Sequence, residues 1–136
     1  SRPDAERQAV FAEYERRLKP SRNRYLVAAD IALSIEPVLQ NRSTAVLENV
    51  LEQADADDGL GAYMLRAGAA IKTTGPDPSL TGGQFYLVLN GELNLQDIVY
   101  PAWSTVYLNP SEQALEVFAG EAGLEALVLN FSRVQP

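Results

Sequence analysis

This chain of 136 residues lacks the two side chains that enzymes use most often as a general base and as a thiolate nucleophile. It contains no histidine and no cysteine. The commonest general base near neutral pH, the thiolate nucleophile, the zinc–thiolate site and the disulfide are therefore excluded. A serine nucleophile would need another base, and Lys72 is the candidate base for Ser104. We predict no catalytic residues, no metal ligands and no cofactor.

The acidic residues are the remaining candidates for acid–base chemistry, which needs two carboxyl groups in one apolar pocket. The pattern places most of them in turns or on the polar faces of strands: Glu92, Asp97, Glu112, Glu116, Glu121 and Glu125. The run Asp55–Gly59 resembles the start of a calcium loop, but Leu60 and Tyr63 follow where further oxygen ligands are needed. We predict a solvated acidic turn there.

Charge is distributed unevenly along the chain. The net charge is −7, yet residues 1–24 carry seven cations and four anions, and residues 25–136 carry a net charge of −10. A body this acidic repels phosphate backbones, so we predict no nucleic-acid partner. Nothing resembles a membrane span or a signal peptide, and we expect no membrane partner and a cytoplasmic location. The basic segment is expected to lie against acidic surface of its own body or a neighbour's.

Residues 1–24 are predicted to form an N-terminal helical arm. Pro3 suits the first turn of a helix, and apolar residues then recur at helical spacing: Val10, Phe11, Tyr14 and Leu18. Pro20 ends the pattern. Because an isolated helix of this length is marginal in water, its apolar stripe should dock on a sheet or on another subunit.

Residues 25–136 are predicted to form a single β-barrel domain. Short apolar segments separated by turn residues indicate strands: Tyr25–Ile35, Ala45–Leu51, Gly61–Ala67, Phe85–Leu95, Ser104–Leu108, Ala114–Phe118 and Leu124–Phe131. The connections between them are rich in glycine, proline and polar residues: Asp55–Gly59, Gly75–Gly83, Asn109–Ser111 and Gly120–Gly123. Many short strands at this spacing predict a sandwich or barrel.

The clearest local signal lies in Phe85–Leu95. Its first half, Phe85–Leu89, is continuously apolar, which is typical of a strand covered on both faces. Asn90-Gly91 follows and predicts a two-residue hairpin turn, because both residues adopt positive φ readily. Leu93 and Leu95 then alternate with polar residues, which indicates a strand with one solvated face.

Two motifs between residues 60 and 131 carry a resemblance to a known family. Gly68 is followed by five residues and Thr74, and Gln84 is followed by six residues and Gly91. Pro101-Ala102-Trp103 forms a later turn, and Asn109-Pro110 closes the strand after it. These spacings resemble the two motifs of the cupin superfamily, whose members are small jelly-roll, double-stranded β-helix barrels. The resemblance implies a mainly β, cupin-like barrel, to which the sequence adds the N-terminal α-helix.

The same resemblance argues against the metal chemistry of the family. Cupin metal sites use three histidines and one glutamate, and the matching positions here hold Thr74, Pro76, Gln84 and Val106. Proline and valine cannot ligate through a side chain, and an amide is a poor replacement for a carboxylate. We therefore expect a metal-free, divergent member.

A second β-barrel family is a weaker alternative. Gly91-Glu92-Leu93 is also similar to a signature of cyclic-nucleotide-binding domains. That family needs a later Gly-Glu followed by an arginine for the phosphate. Gly120-Glu121 is present, but no arginine follows before Arg133.

The positions that face the barrel interior in cupins suggest a binding site. They hold aromatic and amide side chains in this chain: Tyr63, Gln84, Tyr86, Trp103 and Tyr107. Gln84 and Tyr86 share a parity on one strand, as Trp103 and Tyr107 do on another. Aromatic walls with a few polar groups suit a small organic ligand. Alternatively, the rings simply fill the barrel.

These observations predict a non-catalytic binding or sensor module for a small organic ligand. A homodimer is expected, because an exposed strand edge must be covered. Two alternatives stay open. One is a purely structural protein–protein assembly module with a filled barrel. The other is a metal-independent isomerase or lyase that acts through a tyrosine or a glutamate.

Overall fold

The computed structural model describes residues 2–18, 25–52, 54 and 56–133. These residues form two helices and seven strands: α1 (Arg2–Leu18), α2 (Glu36–Gln40), β1 (Ala45–Asn49), β2 (Gly61–Ala67), β3 (Lys72–Thr74), β4 (Gln84–Leu95), β5 (Ile98–Tyr100), β6 (Thr105–Leu108) and β7 (Glu116–Asn130). Single 3-10 turns lie at Ala56–Asp58 and Pro78–Leu80. The predicted mainly β class with an N-terminal helix is confirmed.

The described strands pair antiparallel in one sheet. The order is β1-β2-β7-β4-β5, with β3 paired to the first part of β7 and β6 to the first part of β4. The long strands β4 and β7 pair along most of their length. Tyr86 and Leu93, near opposite ends of β4, belong to one buried cluster, so the sheet curves around a common core.

The core is built from alternate residues of the strands, as a sheet with one buried face requires. Residues that lie opposite each other in the register share a face, and Tyr86 lies opposite Val106 on one side and Val128 on the other. The cluster of buried residues consists of Leu65, Ala67, Tyr86, Val88, Leu93, Leu108, Val117, Ala119, Leu124, Ala126 and Val128. We call the face that carries them the inner face of the sheet.

The predicted hairpin turn at Asn90-Gly91 is wrong, because β4 continues through both residues. The register between β4 and β7 shifts here, as it does at a β-bulge. Gly91 has a φ of +70°, and a Cβ on it would lie 2.0 Å from the carbonyl oxygen of Gly123. A glycine is therefore required for a close approach of two strands rather than for a chain reversal.

The hairpin turn lies six residues later in the chain. Leu95 pairs with Ile98, and the two residues between them, Gln96 and Asp97, have φ values of 51° and 67°. Positive φ at both central positions is the geometry of a two-residue hairpin loop. The sequence signal was missed because glutamine is an unusual residue for this conformation.

Two further predicted boundaries differ from the structure. Gly120–Gly123 is not a turn, since β7 runs unbroken from Glu116 to Asn130. Tyr25–Ile35 was predicted to be a strand and has no regular secondary structure. The predicted strands at Ala45–Leu51 and Gly61–Ala67 are confirmed as β1 and β2.

The predicted helix in the arm is confirmed as α1, and Val10 and Phe11 on it are 70% and 64% exposed. The side chains of Tyr14 and Leu18, together with Pro20 and Asp55, lie outside the described residues. No helix in the described part of the chain is long and apolar enough to cross a membrane. The division into an arm of residues 1–24 and a domain of residues 25–136 stays a prediction.

Candidate functional site

Gln84 and Tyr86 are the two predicted site residues that lie fully inside the barrel. They are two residues apart on β4, so their side chains leave the same face of the strand. Tyr86 belongs to the core cluster, and both side chains have 0% exposure. The inward position expected for both residues is therefore confirmed. Their role in ligand binding stays a prediction. We call them the inner pair.

The amide of Gln84 is held in one orientation. Its Nε2 donates to Asn130 Oδ1 at 2.9 Å and to the carbonyl oxygen of Pro76 at 3.2 Å. Both N–H groups of the amide are therefore engaged. Its oxygen, Oε1, is buried and has no hydrogen-bond partner among the described residues. Leaving such an acceptor unpaired costs about 1–3 kcal/mol of stability. The amide thus presents a fixed acceptor inside the barrel.

The hydroxyl of Tyr86 is the second unpaired group. Its Oη is buried and lacks a partner among the described residues. Gly75 lies against it, and a Cβ at that glycine would lie 1.7 Å from Oη. Because glycine has no Cβ, position 75 provides the room that the Tyr86 hydroxyl occupies. Burial raises the pKa of Tyr86 well above its ordinary value, so the group stays protonated and able to donate.

Two of the other three predicted site residues, Trp103 and Tyr107, do not lie inside the barrel. Trp103 is 75% exposed with a φ of +76°, and Tyr107 is 53% exposed. Tyr107 lies opposite Phe85, whose side chain leaves the outer face, so the expected interior positions of Trp103 and Tyr107 are wrong. Side chains alternate between the two faces along β6, and it is Val106 that faces inward, so its neighbour Tyr107 faces outward. Tyr63 lies opposite Val128, as Tyr86 does, so its expected inward position is confirmed, and it packs partly buried against the core.

A charged cluster on the outer face of the sheet was missed by the sequence analysis. Glu125 of β7 is 0% exposed, although the pattern placed it on a polar face or in a turn. Its Oε1 accepts from Ser34 N and Asn90 Nδ2, each at 2.8 Å. Its Oε2 accepts from Ser34 Oγ at 2.8 Å and from Arg66 Nη1. We call Glu125, Arg66, Asn90 and Ser34 the outer cluster.

The outer cluster holds Glu125 in its charged form. Burial alone would raise the pKa of this carboxyl group, but hydrogen bonds from Asn90, Ser34 and Arg66 outweigh burial and lower it. Burial likewise disfavours the Arg66 cation, and its bonds to Glu125 and Glu48 overcome that effect and raise its pKa. The apolar segments Gly61–Ala67 and Leu124–Phe131 each contain one charged residue, Arg66 and Glu125, and this was the signal that could have revealed the pair.

A separate cleft of about 560 Å³ lies between the β4–β5 hairpin, β3 and the start of β7. Its lining consists of Lys72, Asn94, Leu95, Gln96, Asp97, Ile98, Tyr100, Leu115, Glu116 and Phe118. Lys72 Nζ lies 4.0 Å from Glu116 Oε2, and both side chains are mostly exposed. None of the predicted site residues lines it, and its charges are solvated rather than directed at a buried point.

No family model matches the chain, and no curated protein matches it. An RmlC-like cupin protein from Desulfovibrio desulfuricans superposes with a TM-score of 0.50 at 14% identity, over 76% of this chain and 94% of that one. The chain has the cupin fold. The resemblance found in residues 60–131 is thereby confirmed at the level of the fold.

Two further solved structures are similar at lower scores. A cupin superfamily protein from Desulfitobacterium hafniense gives a TM-score of 0.47 at 14% identity, over 79% of this chain and 98% of that one. The EutQ protein of Clostridium difficile gives 0.43 at 8% identity, over 74% and 81%. At these identities the likeness concerns the fold alone.

The positions that match cupin metal ligands do not fit a transition metal. Thr74 is exposed and lies opposite Glu116 rather than inside the barrel. Gln84 offers only a neutral amide oxygen, and Pro76 and Val106 offer no side-chain donor. No group of three or more acidic side chains within the described ranges is placed to share an ion. We derive no metal-dependent step for this barrel.

Proposed function

We propose that this chain is a non-catalytic cupin-like module that binds a small neutral organic ligand at the inner pair. The observation that carries the proposal is that two fully buried polar atoms, Gln84 Oε1 and Tyr86 Oη, lack partners among the described residues. Buried polar atoms in native proteins are rarely left without a protein or water partner. Two of them on one face of one strand favour a bound molecule that supplies both missing hydrogen bonds.

The chemistry of the inner pair defines the ligand class. Gln84 Oε1 only accepts, so the ligand must present an N–H or O–H group to it. The Tyr86 hydroxyl donates or accepts, and a carbonyl or hydroxyl oxygen of the ligand satisfies it. The surrounding side chains, such as Val88 and Val128, are apolar and fully buried. An ionised ligand would lose its hydration there without a counter-charge, which favours a neutral amide or polyol.

The alternative of an isomerase or lyase finds less support. It would need an acid or base that lines the ligand site, and Glu125 is the fully buried acid among the described residues. Its two oxygens are occupied by four hydrogen bonds on the other face of the sheet. A carboxylate with a lowered pKa and no free oxygen is poorly suited to proton transfer.

Binding is tested by saturation-transfer NMR with acetamide, methylurea and propylene glycol as probes. The wild-type protein is expected to bind at least one probe, and Tyr86→Phe should weaken that binding about tenfold, because it removes one hydrogen bond from a buried site. Tyr107→Phe is the matched control, since it removes a hydroxyl that is half exposed on the outer face. Its affinity should equal that of the wild type.

Two results would contradict the proposal. One is a crystal structure soaked with the probes in which an ordered water alone bridges Gln84 and Tyr86. That result would favour a filled barrel. The other is equal loss of probe binding in Tyr86→Phe and Tyr107→Phe, which would place the binding surface outside the barrel.

A further inference from the structure

The inner pair is closed to solvent. Both side chains have 0% exposure, so a ligand reaches them only when part of the chain moves. The sheet itself leaves no opening beside them, because this part of β4 is paired with β6 on one side and with β7 on the other. If the proposed function is correct, entry to the site therefore depends on chain that lies outside the strands.

The connection between β3 and β4 touches both members of the inner pair. The carbonyl oxygen of Pro76 accepts a hydrogen bond from Gln84 Nε2 at 3.2 Å. The preceding residue, Gly75, lies directly against the Tyr86 hydroxyl. We call residues 76–81, which run from this contact towards the start of β4, the cover segment.

The cover segment is a single layer of chain with one wet side and one dry side. Asp77, Ser79 and Leu80 are exposed, whereas Pro78 and Thr81 are buried. No residue of the segment belongs to a strand of the described sheet. Its displacement therefore exposes the inner pair without breaking any strand pairing.

Internal hydrogen bonds make the cover segment one compact unit. The backbone N–H of Ser79 donates to Asp77 Oδ1 at 2.9 Å. Thr81 donates to the carbonyl oxygen of Pro78 through its backbone N–H at 3.0 Å and through its hydroxyl at 2.8 Å. The rings of Pro76 and Pro78 also fix two of its φ angles. The segment is therefore built to move as a body rather than to unravel.

Few interactions hold the cover segment on the barrel. Among the described residues, one hydrogen bond joins it to a strand, the bond from Gln84 Nε2 to the Pro76 carbonyl oxygen. A second, from Gly83 N to Thr81 Oγ1 at 3.1 Å, joins it to the chain that follows. The burial of Pro78 adds the main apolar contact. Segments with so few attachments open at a lower free energy than a core strand does.

Glycines lie at both ends of the cover segment. Gly75 precedes it and Gly82-Gly83 follow it, and Gly83 has a φ of +135°, which other residues rarely adopt. Backbone hydrogen bonds anchor these ends to the barrel. Gly75 N donates to the carbonyl oxygen of Leu115 at 2.8 Å, and the carbonyl oxygen of Gly83 accepts from Phe131 N at 2.9 Å. A loosely held unit between two anchored glycine ends has the geometry of a hinged cover.

We propose that the cover segment opens at its glycine ends to admit the ligand and that its closure sets the orientation of the Gln84 amide. A backbone carbonyl only accepts hydrogen bonds, so the closed position of Pro76 requires Nε2 to face it and turns Oε1 towards the ligand. Opening breaks this bond and frees the amide. The closed site therefore selects a ligand that donates to Gln84, and the cover segment controls both access and that selectivity.

Hydrogen exchange of the full, ligand-free chain, followed by NMR, tests the opening directly. The Nε2 protons of Gln84 exchange whenever the cover segment opens. Backbone amides at the centre of β7, which pairs with β2 and β4, exchange when the sheet itself opens. We expect the Gln84 side chain to be protected at least about tenfold less than those amides. Equal protection would overturn the proposal, because the inner pair would then be reached through unfolding of the sheet alone.

A matched pair of proline variants assigns the opening to the cover segment. Pro78→Ala removes its buried ring and should speed the exchange of Gln84 Nε2 about tenfold, with the β7 amides unchanged. Pro110→Ala is the control. It changes a half-buried proline after β6, the strand on the other side of Gln84, and should alter neither rate.

A second variant covers the case in which Pro78→Ala fails to fold. Thr81→Val keeps the side-chain size but removes the acceptor for Gly83 N, a buried group that regains a partner in water only when the segment opens. It should therefore also speed Gln84 exchange. Wild-type exchange rates at Gln84 in every folded variant of the cover segment would overturn the proposal. Failure of all probes to bind would count against the proposed function instead, and it would leave these rates of the ligand-free chain unchanged.

Discussion

The inner pair and the outer cluster are two buried polar groups on opposite faces of the same sheet, and they differ in how completely they are hydrogen-bonded. Both oxygens of Glu125 in the outer cluster are satisfied, by Ser34, Asn90 and Arg66. In the inner pair, Gln84 Oε1 and Tyr86 Oη have no partner among the described residues. The strand β4 contributes to both groups, with Asn90 on one side and Gln84 and Tyr86 on the other.

This difference separates a structural role from a binding role. A satisfied charged cluster fixes one arrangement of the chain, and here it ties Ser34 to the sheet. An incompletely satisfied pair has hydrogen-bonding capacity left for a molecule that is not part of the chain. Substitutions in the two groups should therefore have opposite consequences for stability.

Arg66→Met should give the largest loss of stability. The substitution leaves Glu125 buried with its charge uncompensated, which typically costs about 3–5 kcal/mol. Chemical denaturation followed by circular dichroism measures the free energy of unfolding. Lys72→Met is the matched control, because Lys72 and Glu116 form an exposed pair at 4.0 Å. Such a pair contributes about 0–1 kcal/mol. Similar losses in both variants would remove the distinction between the outer cluster and ordinary surface charge.

Glu125→Gln should cost about 2 kcal/mol at neutral pH, since hydrogen bonds to a charged acceptor are stronger than those to a neutral one. The pKa of Glu125 in the folded chain lies below its ordinary value of 4.5. The extra stability is therefore present above that value and is lost as the pH falls through the lower, folded pKa. The difference between wild type and Glu125→Gln should shrink in acid. A difference that is constant between neutral pH and pH 3 would contradict a titrating, buried carboxylate.

Ser34→Ala should have a smaller effect, confined to one segment. It removes the bond from Ser34 Oγ to Glu125 but keeps the bond from the Ser34 backbone, so we expect a loss of about 1 kcal/mol. Hydrogen exchange should become faster near residues 31–35 and stay unchanged in β4 and β7. Ser111→Ala, which removes an exposed bond to Asn109, should change neither quantity. Uniformly faster exchange across the sheet would show that Ser34 supports the whole fold instead.

The sequence predicted the fold well where a strand pattern alone decides it. Phe85–Leu89 carries two aromatic residues and a valine, which favour a strand, and Gly61–Ala67 is a mainly apolar run between turn residues. The two errors at Asn90-Gly91 and Gly120–Gly123 share one cause. Their glycines permit a bulge and a close approach between β4 and β7, and the same residues also favour turns. Only pairing between distant strands distinguishes these outcomes.

The candidate site was predictable in part for a similar reason. Gln84 and Tyr86 lie at the start of a segment that was predicted to be a strand, so parity placed them on one face, and the cupin resemblance assigned that face to the interior. Trp103 lies outside the strands, and Tyr107 faces outward because the parity of β6 depends on its pairing with β4. The outer cluster joins Ser34, Arg66 and Glu125, which are far apart in sequence. No local pattern reports such contacts.

Tyr86→Phe should have the smallest effect on stability and the opposite sign to Arg66→Met. The hydroxyl lacks a partner among the described residues, so its removal costs no hydrogen bond and relieves the desolvation of Oη. The free energy of unfolding of the ligand-free protein should stay constant or rise by about 1 kcal/mol. Thermal denaturation of dialysed protein measures this, with Tyr107→Phe as the control at an exposed ring.

A loss of stability in Tyr86→Phe would mean that a retained water or ligand already satisfies the hydroxyl, and native mass spectrometry of the same sample distinguishes the two. A gain in stability combined with lost probe binding is the result that a binding site predicts and a filled core does not.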